Sequence, residues 1–136
     1  MNKIIRKIQY SEKVYRFDVE APLIAKSRKA GNFVIIRVDA NSERMPLTIA
    51  DADIEKGTIT LVVQKVGLSS TKLCNLNEGD EIHDVVGPLG NPTHIENFGT
   101  VLCAGGGVGV APMLPIIKAL KAAGNRVLSV IAGRSK

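Results

Sequence analysis

The strongest chemical signal in the sequence is the stretch CAGGGVGVAPM at residues 103–113, where four glycines fall within five residues. Glycine permits positive φ and lets a ligand reach bare backbone N–H groups, and the start of a following helix adds the positive end of its dipole. This combination predicts a turn that binds the phosphates of a nucleotide. The alternative, a tight turn with close strand–helix packing, explains one or two of the glycines but hardly all four. The predicted contacts are Gly105, Gly106, Gly107, Val108, Gly109, Ala111 and Pro112.

The spacing of these glycines departs from the G-x-G-x-x-G fingerprint of the common dinucleotide-binding fold. Val110 stands where that pattern requires its last glycine, and Ala111-Pro112 opens the helix instead. A different family of nucleotide-binding proteins is therefore indicated.

Other kinds of catalytic chemistry have little support in the sequence. Cys74 and Cys103 lack a C-x-x-C spacing, and zinc or an iron–sulfur cluster needs four ligands. His83 and His94 have no partner at helical spacing. No catalytic triad or carboxylate pair is apparent, and the acidic residues of ADADIEKG at 50–57 are predicted to be solvated turn residues. No metal site is therefore expected in this chain.

The composition is that of an ordinary globular protein, with 136 residues of which 45% are hydrophobic and 23% charged. The net charge of +5 is spread along the chain, and the few aromatic residues occupy strand-like apolar positions, which argues against nucleic-acid binding. No apolar stretch approaches the ~18 residues of a membrane span, and residues 1–20 lack the apolar centre of a signal peptide. The sequence predicts a cytoplasmic protein with neither a nucleic-acid nor a membrane partner.

Short strands dominate residues 1–90. Segments that alternate in period two or are rich in β-branched residues, separated by glycine and proline turns, predict roughly six strands. One short helix is expected at SSTKLCNL, with Ser69 as its N-cap. This pattern predicts a small antiparallel barrel or sandwich.

After Pro92 the pattern changes to that of an α/β fold. GTVLCAGGG predicts a strand, VAPMLPIIKALKAAG has helical apolar spacing with Gly124 as its stop, and NRVLSVIAG predicts a second strand. Such a βαβ unit has a parallel sheet, which is normally buried on both faces. We place the domains at 1–95 and 96–136. One βαβ unit is about a third of a nucleotide-binding domain, so the second domain is expected to be truncated.

Four motifs in order along the chain resemble those of the ferredoxin–NADP reductase superfamily: RMPLT at 44–48, VVQKVGLSSTKL at 62–73, GPLG at 87–90 and GGGVGVAPM at 105–113. Within it, the chain is similar to electron-transfer subunits that accompany dihydroorotate dehydrogenase and to small subunits of NADH-dependent ferredoxin:NADP oxidoreductase and sulfide dehydrogenase. The resemblance covers essentially the whole chain. It implies a Greek-key, FAD-binding antiparallel β-barrel followed by the start of a nicotinamide-dinucleotide-binding α/β domain.

The resemblance assigns the first flavin motif to the redox centre. Thr48, as the catalytic residue, would hydrogen-bond near the redox-active flavin nitrogen, with Pro46 fixing the turn and Leu47 packing on the ring. Arg44 would bind the flavin phosphate. Many superfamily members carry that arginine one residue later, where this chain has Met45, so an exposed barrel charge is an equal alternative for Arg44.

The second flavin motif is assigned to the ring edge and the pyrophosphate. Its strand would run beside the flavin, and the following turn would bind the pyrophosphate through hydroxyls and helix N-terminal amides. A simple N-cap cluster is the alternative for the hydroxyl residues, and the two roles are compatible. The residues concerned are Val62, Val63, Gln64, Gly67, Ser69 and Ser70.

The function implied by the resemblance is that of a flavoprotein electron-transfer subunit. It would pass electrons between NAD(H) or NADP(H) and a larger catalytic redox subunit through FAD, with ferredoxin as a second candidate partner. Such proteins carry a four-cysteine motif for a [2Fe–2S] cluster near their C-terminus, in a part that this chain lacks. The chain alone is therefore expected to bind FAD weakly and not to turn over.

Two alternatives remain, a standalone ferredoxin–NADP or flavin reductase and a non-catalytic binding module. The coenzyme is also open. The second strand ends in GRSK, where Arg134 favours a phosphorylated coenzyme, whereas the small subunits that the chain resembles are commonly linked to NADH. NAD is therefore slightly favoured over NADP.

Overall fold

The computed structural model describes residues 2–133, in which the strands form an antiparallel group followed by a parallel pair. We call residues 2–90 the barrel, residues 91–97 the linker and residues 98–133 the α/β unit. A 3₁₀ turn at Gly107–Gly109, the glycine turn, precedes the last helix. The elements are β1 (Ile4–Gln9), β2 (Val14–Glu20), α1 (Pro22–Ser27), β3 (Phe33–Arg37), β4 (Met45–Thr48), β5 (Asp51–Asp53), β6 (Thr58–Gln64), α2 (Leu68–Cys74), β7 (Asp84–Leu89), β8 (Thr100–Gly106), α3 (Val110–Ala122) and β9 (Arg126–Ala132).

The barrel consists of two antiparallel sheets with strand orders β1-β2-β6-β5 and β4-β3-β7. Backbone hydrogen bonds join the sheets at both edges. On one side residues 49–50 donate to the carbonyls of Asn32 and Thr60, and on the other the Ile4 N–H donates to the carbonyl of Asp80. The prediction of an antiparallel barrel is confirmed.

The barrel core is filled by the inward-facing side chains of both sheets. Alternate residues of a strand point to opposite faces, so every second residue reaches the interior. Full burial of a large aliphatic or aromatic side chain stabilises a fold by about 1.5–3 kcal/mol. The side chains that are at most 1% exposed include Ile4, Phe17, Val19, Val34, Ile36, Ile59, Leu61, Val63 and Leu73.

The sequence analysis missed a short helix, α1, which lies against β6 and β7. Pro22 occupies its first turn, where a fixed φ and a missing N–H cost nothing. Ile24 and Ala25 are buried in the core. A helix of this length is not stable alone in water, so tertiary packing decides that it forms. None of the helices in residues 2–133 is long and apolar enough to span a membrane.

The segment PLTIAD at 46–51, which its sequence pattern predicts to be one strand, forms two strands, because the chain passes from one sheet to the other at residues 49–50. β4 pairs with β3, and β5 pairs with β6. The acidic segment that follows was predicted to be a solvated turn. That prediction is wrong for Asp51 and Asp53, which lie half-buried in β5.

The α/β unit has the predicted βαβ topology. β8 and β9 are parallel and in register from Thr100–Arg126 to Gly106–Ala132, and α3 packs on them. Gly124 follows α3 with φ +95°, as expected of a helix stop. The expectation that both faces of this sheet are buried is wrong within the described chain. Several side chains are exposed on β8 and β9, among them Leu102 at 66% and Val130 at 56%.

A buried asparagine attaches the linker to the α/β unit. Asn125 is 6% exposed, and its Oδ1 accepts hydrogen bonds from the backbone N–H groups of Phe98 (2.6 Å) and Gly99 (3.0 Å). Its Nδ2 donates to the carbonyls of Glu96 and Leu120. The Asn125 side chain therefore holds the segment just before β8 against the end of α3.

Candidate functional site

The structure places the predicted nucleotide contacts together at the carboxyl end of β8. Gly105 and Gly106 complete the strand, the chain then forms the glycine turn, and Ala111 and Pro112 lie half-buried in the first turn of α3. Ligands of open parallel sheets bind outside this end of the strands. Arg134 lies outside the described residues, so its predicted role is untested.

Only two of the four glycines are required by the packing or backbone of the chain itself. A Cβ at Gly105 would lie 3.1 Å from Cε of Met113, and Gly107 has φ +57°. A Cβ at Gly109 would meet no atom within 4 Å, and one at Gly106 would make an ordinary 3.7 Å contact with a backbone oxygen of β9. Neither Gly106 nor Gly109 has positive φ. Among the described residues, open space therefore lies against the bare backbone at Gly109, whereas a Cβ at Gly106 would pack against β9.

The first turn of α3 is well suited to an anion. Within the described chain no side chain caps the helix, and no acidic residue lies in its first turn. The first backbone N–H groups of a helix have no intrahelical acceptor, and the aligned peptide dipoles give this end a partial positive charge. The Val110 N–H already donates to the Gly107 carbonyl and Pro112 has no N–H, so the helix start offers an anion chiefly the positive end of its dipole.

The residues of the first flavin motif face two directions. Met45 and Leu47 are partly buried and pack against the barrel core. Pro46 and Thr48 point to the opposite face, because side chains alternate along β4. Thr48 is half-buried at the end of this strand, and the exposed Arg44 precedes it. Leu47 thus lies on the other face from Thr48, and its contact with a flavin ring stays a prediction.

β6 lies between the two predicted sites. Its Cα atoms approach within 8 Å of those of β4 and also of the glycine turn. Val63 is 1% exposed and points into the core, so only its backbone is open to a ligand. Val62 is half-buried and Gln64 exposed. The flavin motifs and the nucleotide turn, which are distant in sequence, therefore meet at one strand.

The helix α2 begins two residues earlier than predicted. Its N-cap is Gly67, which corrects the assignment of Ser69. The Ser70 hydroxyl accepts the backbone N–H groups of Gly67 (2.9 Å) and Val66 (3.0 Å) and donates to the Gly67 carbonyl. Ser70 is 6% exposed, so its hydroxyl serves the turn itself. Its predicted role as a pyrophosphate ligand remains untested.

A groove of about 410 Å³ lies at this turn, and its lining carries two cationic side chains, Lys13 and Lys65, and one carboxylate, Glu12, beside Val66, Gly67 and Thr71. A Cβ at Gly67 would meet no atom within 4 Å, and its φ of −153° is open to any residue. Neither packing among the described residues nor the backbone conformation therefore requires glycine at position 67. The two lysines were missed from the sequence, because only folding brings the β1–β2 turn beside the end of β6.

The analysis of the sequence also missed an ion pair between the barrel and the α/β unit. Nζ of Lys118 on α3 donates to Oδ2 of Asp51 on β5 at 3.0 Å, and a terminal nitrogen of Arg28 lies 3.9 Å from the other carboxylate oxygen. Partial burial acts to raise the pKa of Asp51. The Lys118 hydrogen bond, the Ala52 N–H and the two positive charges outweigh that effect, so the pKa of Asp51 lies below its usual value.

The cysteines and histidines do not form a metal centre in the part of the chain that is described. No group of three or more potential ligands comes together there. Cys74 and Cys103 are both buried thiols, and burial raises the pKa of Cys74. The role predicted for Cys103, that of a small buried hydrophobic residue, agrees with its 9% exposure.

Comparisons with known proteins give the same family at the level of sequence. No family model matches the chain. A dihydroorotate dehydrogenase B (NAD(+)) electron transfer subunit homolog from Thermotoga maritima is 47% identical over 136 residues, which is 100% of this chain and 48% of that protein. The corresponding subunit from Bacillus caldolyticus is 32% identical over 93% of this chain and 51% of its own length. The chain spans about half the length of the curated relatives it matches.

Solved structures give the same result for the fold. A structure of NADH-dependent reduced ferredoxin–NADP oxidoreductase is 47% identical with a TM-score of 0.98, over 100% of this chain and 49% of that one. Phthalate dioxygenase reductase, at 21% identity and a TM-score of 0.82 over 98% of this chain and 43% of its own, shares the fold. The chain is therefore homologous to about half of a dihydroorotate dehydrogenase electron-transfer subunit and has the fold of the ferredoxin–NADP reductase superfamily.

Proposed function

We propose that this chain is the flavin- and nicotinamide-binding part of an electron-transfer flavoprotein. It passes electrons between NAD(P)H and a larger redox subunit through FAD, in the cytoplasm. The relative from Thermotoga maritima is named as an electron-transfer subunit homolog, and the similar solved structure is of an NADH-dependent ferredoxin–NADP oxidoreductase. Both matches extend over 100% of this chain.

The observation that carries the proposal is the pair of glycines that the chain does not need for its own fold. Among the described residues, the missing side chain of Gly109 leaves open backbone beside the start of α3, and a Cβ at Gly106 would make only an ordinary contact with β9. A dinucleotide pyrophosphate requires this kind of close backbone approach and favours the positive end of a helix. The glycine turn is therefore assigned to the nicotinamide dinucleotide.

The flavin is assigned to the barrel side of β6. Thr48 offers a half-buried hydroxyl at the end of β4, and Gly67 leaves open space beside Lys13 and Lys65. Two cations and a bare backbone suit a pyrophosphate, whereas Ser70 is occupied by its own turn. Ser69, half-buried at the second position of α2, is the hydroxyl that we retain for this role.

The bound cofactors would supply the redox chemistry, in which a hydride passes between nicotinamide and flavin and electrons then leave toward the partner. The residues of this chain bind, align and shield the two rings. Thr48 orients one ring edge by a hydrogen bond, and the glycine turn holds the dinucleotide against β6. The outer side chains of β6, Val62 and Gln64, border the space between the sites.

Several finer points remain proposals. NAD is favoured over NADP, because the curated relatives are named for NAD(+). A [2Fe–2S] cluster, a larger catalytic subunit and ferredoxin belong to the whole protein. The weak FAD binding and inactivity predicted for residues 1–136 alone are consistent with the exposed apolar side chains of β8 and β9.

The glycine assignment is tested by Gly109→Ala in the purified whole protein. The new methyl group meets no atom of the chain, so the fold and FAD binding should be retained. The methyl group should keep the coenzyme pyrophosphate from reaching the backbone N–H groups. Losing a hydrogen bond to this charged group should weaken coenzyme binding by about ten-fold or more. Coenzyme affinity is measured by titration with NAD⁺, which cannot reduce the oxidised flavin, followed by the perturbation of the visible flavin absorbance.

The matched variant is Gly67→Ala, which should lower the affinity for FAD. The coenzyme affinity of the protein that still carries FAD should stay unchanged. A protein that stays colourless with excess FAD would contradict the flavin assignment. A Gly109→Ala protein with unaltered coenzyme affinity would contradict the assignment of the glycine turn.

A further inference from the structure

Few polar contacts hold α3 against the barrel. A groove of about 680 Å³ lies between them, bordered by α3, the linker and the end of α1. Within residues 2–133, the bond from Lys118 to Asp51 is the one hydrogen bond that joins α3 to the barrel. The orientation of α3 therefore depends strongly on a small number of groups.

Asp51 connects three elements. Its carboxylate lies on β5, receives Lys118 from α3 at 3.0 Å, and lies 3.9 Å from Arg28, the residue that caps the end of α1. The side chains of Asp51 and Arg28 are only 35% and 21% exposed. Partial removal from water strengthens such a pair relative to a fully solvated one.

The position of Asp51 relates this ion pair to the candidate site. Asp51 pairs across the sheet with Thr60 of β6, the strand that the glycine turn approaches. Lys118 lies about two helical turns after the start of α3. A rotation of α3 about its barrel contact would therefore move the glycine turn relative to β6.

We propose that Asp51, through Lys118 and Arg28, is a positioning residue that fixes the glycine turn over β6. The proposal rests on the proposed function, in which that alignment sets the distance between nicotinamide and flavin. Exposed ion pairs contribute little to global stability. Breaking this pair should therefore change the position of the glycine turn relative to β6 more than the stability of the fold. Transfer between the rings is sensitive to small misplacements, because reacting groups must be held in a near-attack geometry.

The test compares Asp51→Asn and Lys118→Met with the control Lys121→Met in the whole flavin-loaded protein. Lys121 lies on the same helix, and among the described residues it has no ion pair with the barrel. Two quantities are measured, the rate of flavin reduction at saturating NADH and the hydrogen exchange of the linker. The informative amide is that of Thr93, which donates to the Ala30 carbonyl at 2.9 Å.

Both Asp51→Asn and Lys118→Met should slow flavin reduction by about two- to five-fold, with FAD affinity unchanged, and should speed linker exchange. Lys121→Met should change neither the rate of flavin reduction nor the linker exchange. Unchanged linker exchange and reduction rate in Lys118→Met would overturn the proposal. Because exchange needs no cofactor, it tests the ion pair even if the protein proves not to bind flavin.

Discussion

The barrel buries the side chains of its strands by itself, whereas the α/β unit leaves one sheet partly open. In the barrel, residues such as Phe17 and Leu61 are completely enclosed by two sheets and α2. In the α/β unit, Cys103 and Leu120 are the buried hydrophobic residues, while Leu102, Val130 and Ile131 are more than half exposed. The α/β unit is richer in aliphatic residues than the barrel. Burial is therefore a property of the layers that surround a strand, and hydrophobicity alone does not establish it.

This difference also separates the two proposed binding surfaces. The flavin motifs lie on strands held by a complete core, which keeps Thr48 and the outer side of β6 in fixed positions. The glycine turn lies on a thin unit whose orientation depends on Asp51, Asn125 and the linker. We expect the barrel to resist perturbation and the α/β unit to respond to single polar contacts.

The largest expected effect comes from the barrel core. Phe17→Ala removes a fully buried aromatic side chain and should lower the free energy of unfolding by about 3–5 kcal/mol. Leu102→Ala, on the exposed face of β8, should change it by no more than about 0.5 kcal/mol. Urea denaturation followed by circular dichroism measures both. A comparable loss from the two variants would contradict the contrast between the regions.

An intermediate effect is expected from Asn125→Ala. The change removes the four hydrogen bonds of a side chain that is 6% exposed, and a typical intramolecular hydrogen bond contributes about 0.5–1.5 kcal/mol. The Gly99 N–H keeps Asn97 Oδ1 as an acceptor. Hydrogen exchange should rise in β8, β9 and α3 but not in β2 and β6. Asn91→Ala, an exposed linker residue, is the control and should alter neither region. Equal loss of protection in the barrel would mean that the two regions unfold as one.

The smallest effect concerns pH. The pKa of Asp51 is lower in the folded protein than in the unfolded chain, where it is about 3.9. The stabilisation by its ionised carboxylate is therefore complete above the unfolded pKa and is lost as the pH falls through the folded pKa. The linker of the wild-type protein should therefore exchange more slowly than that of Lys118→Met at neutral pH. This difference should persist down to about pH 3.9 and disappear once the pH has fallen through the folded pKa of Asp51, which is lower still. A difference that persists in acid would show that the carboxylate is not its source.

Predictions based on local patterns agreed best with the structure. Glycine at the end of α3, the two strands of the βαβ unit and the antiparallel barrel follow from periodicity and turn chemistry, which depend on neighbouring residues. The predictions were wrong where contacts between distant parts of the chain determine the local structure. α1 forms because it packs on β6. The segment 46–51 forms two strands because it crosses between the sheets. Gly67 is the N-cap of α2 in place of Ser69, because hydrogen bonds between Gly67 and Ser70 close the turn.

By itself, the sequence determined the order of the elements, the four family motifs and the turn where the backbone is bare. It did not determine that Leu47 and Thr48 face opposite sides of a strand, which glycines the packing requires, or that Asp51 meets Lys118. Those facts depend on distances between residues far apart in the chain. Such distances are set by the closure of the two sheets and by the seating of α3 against β5 and β6, and only the tertiary structure contains them.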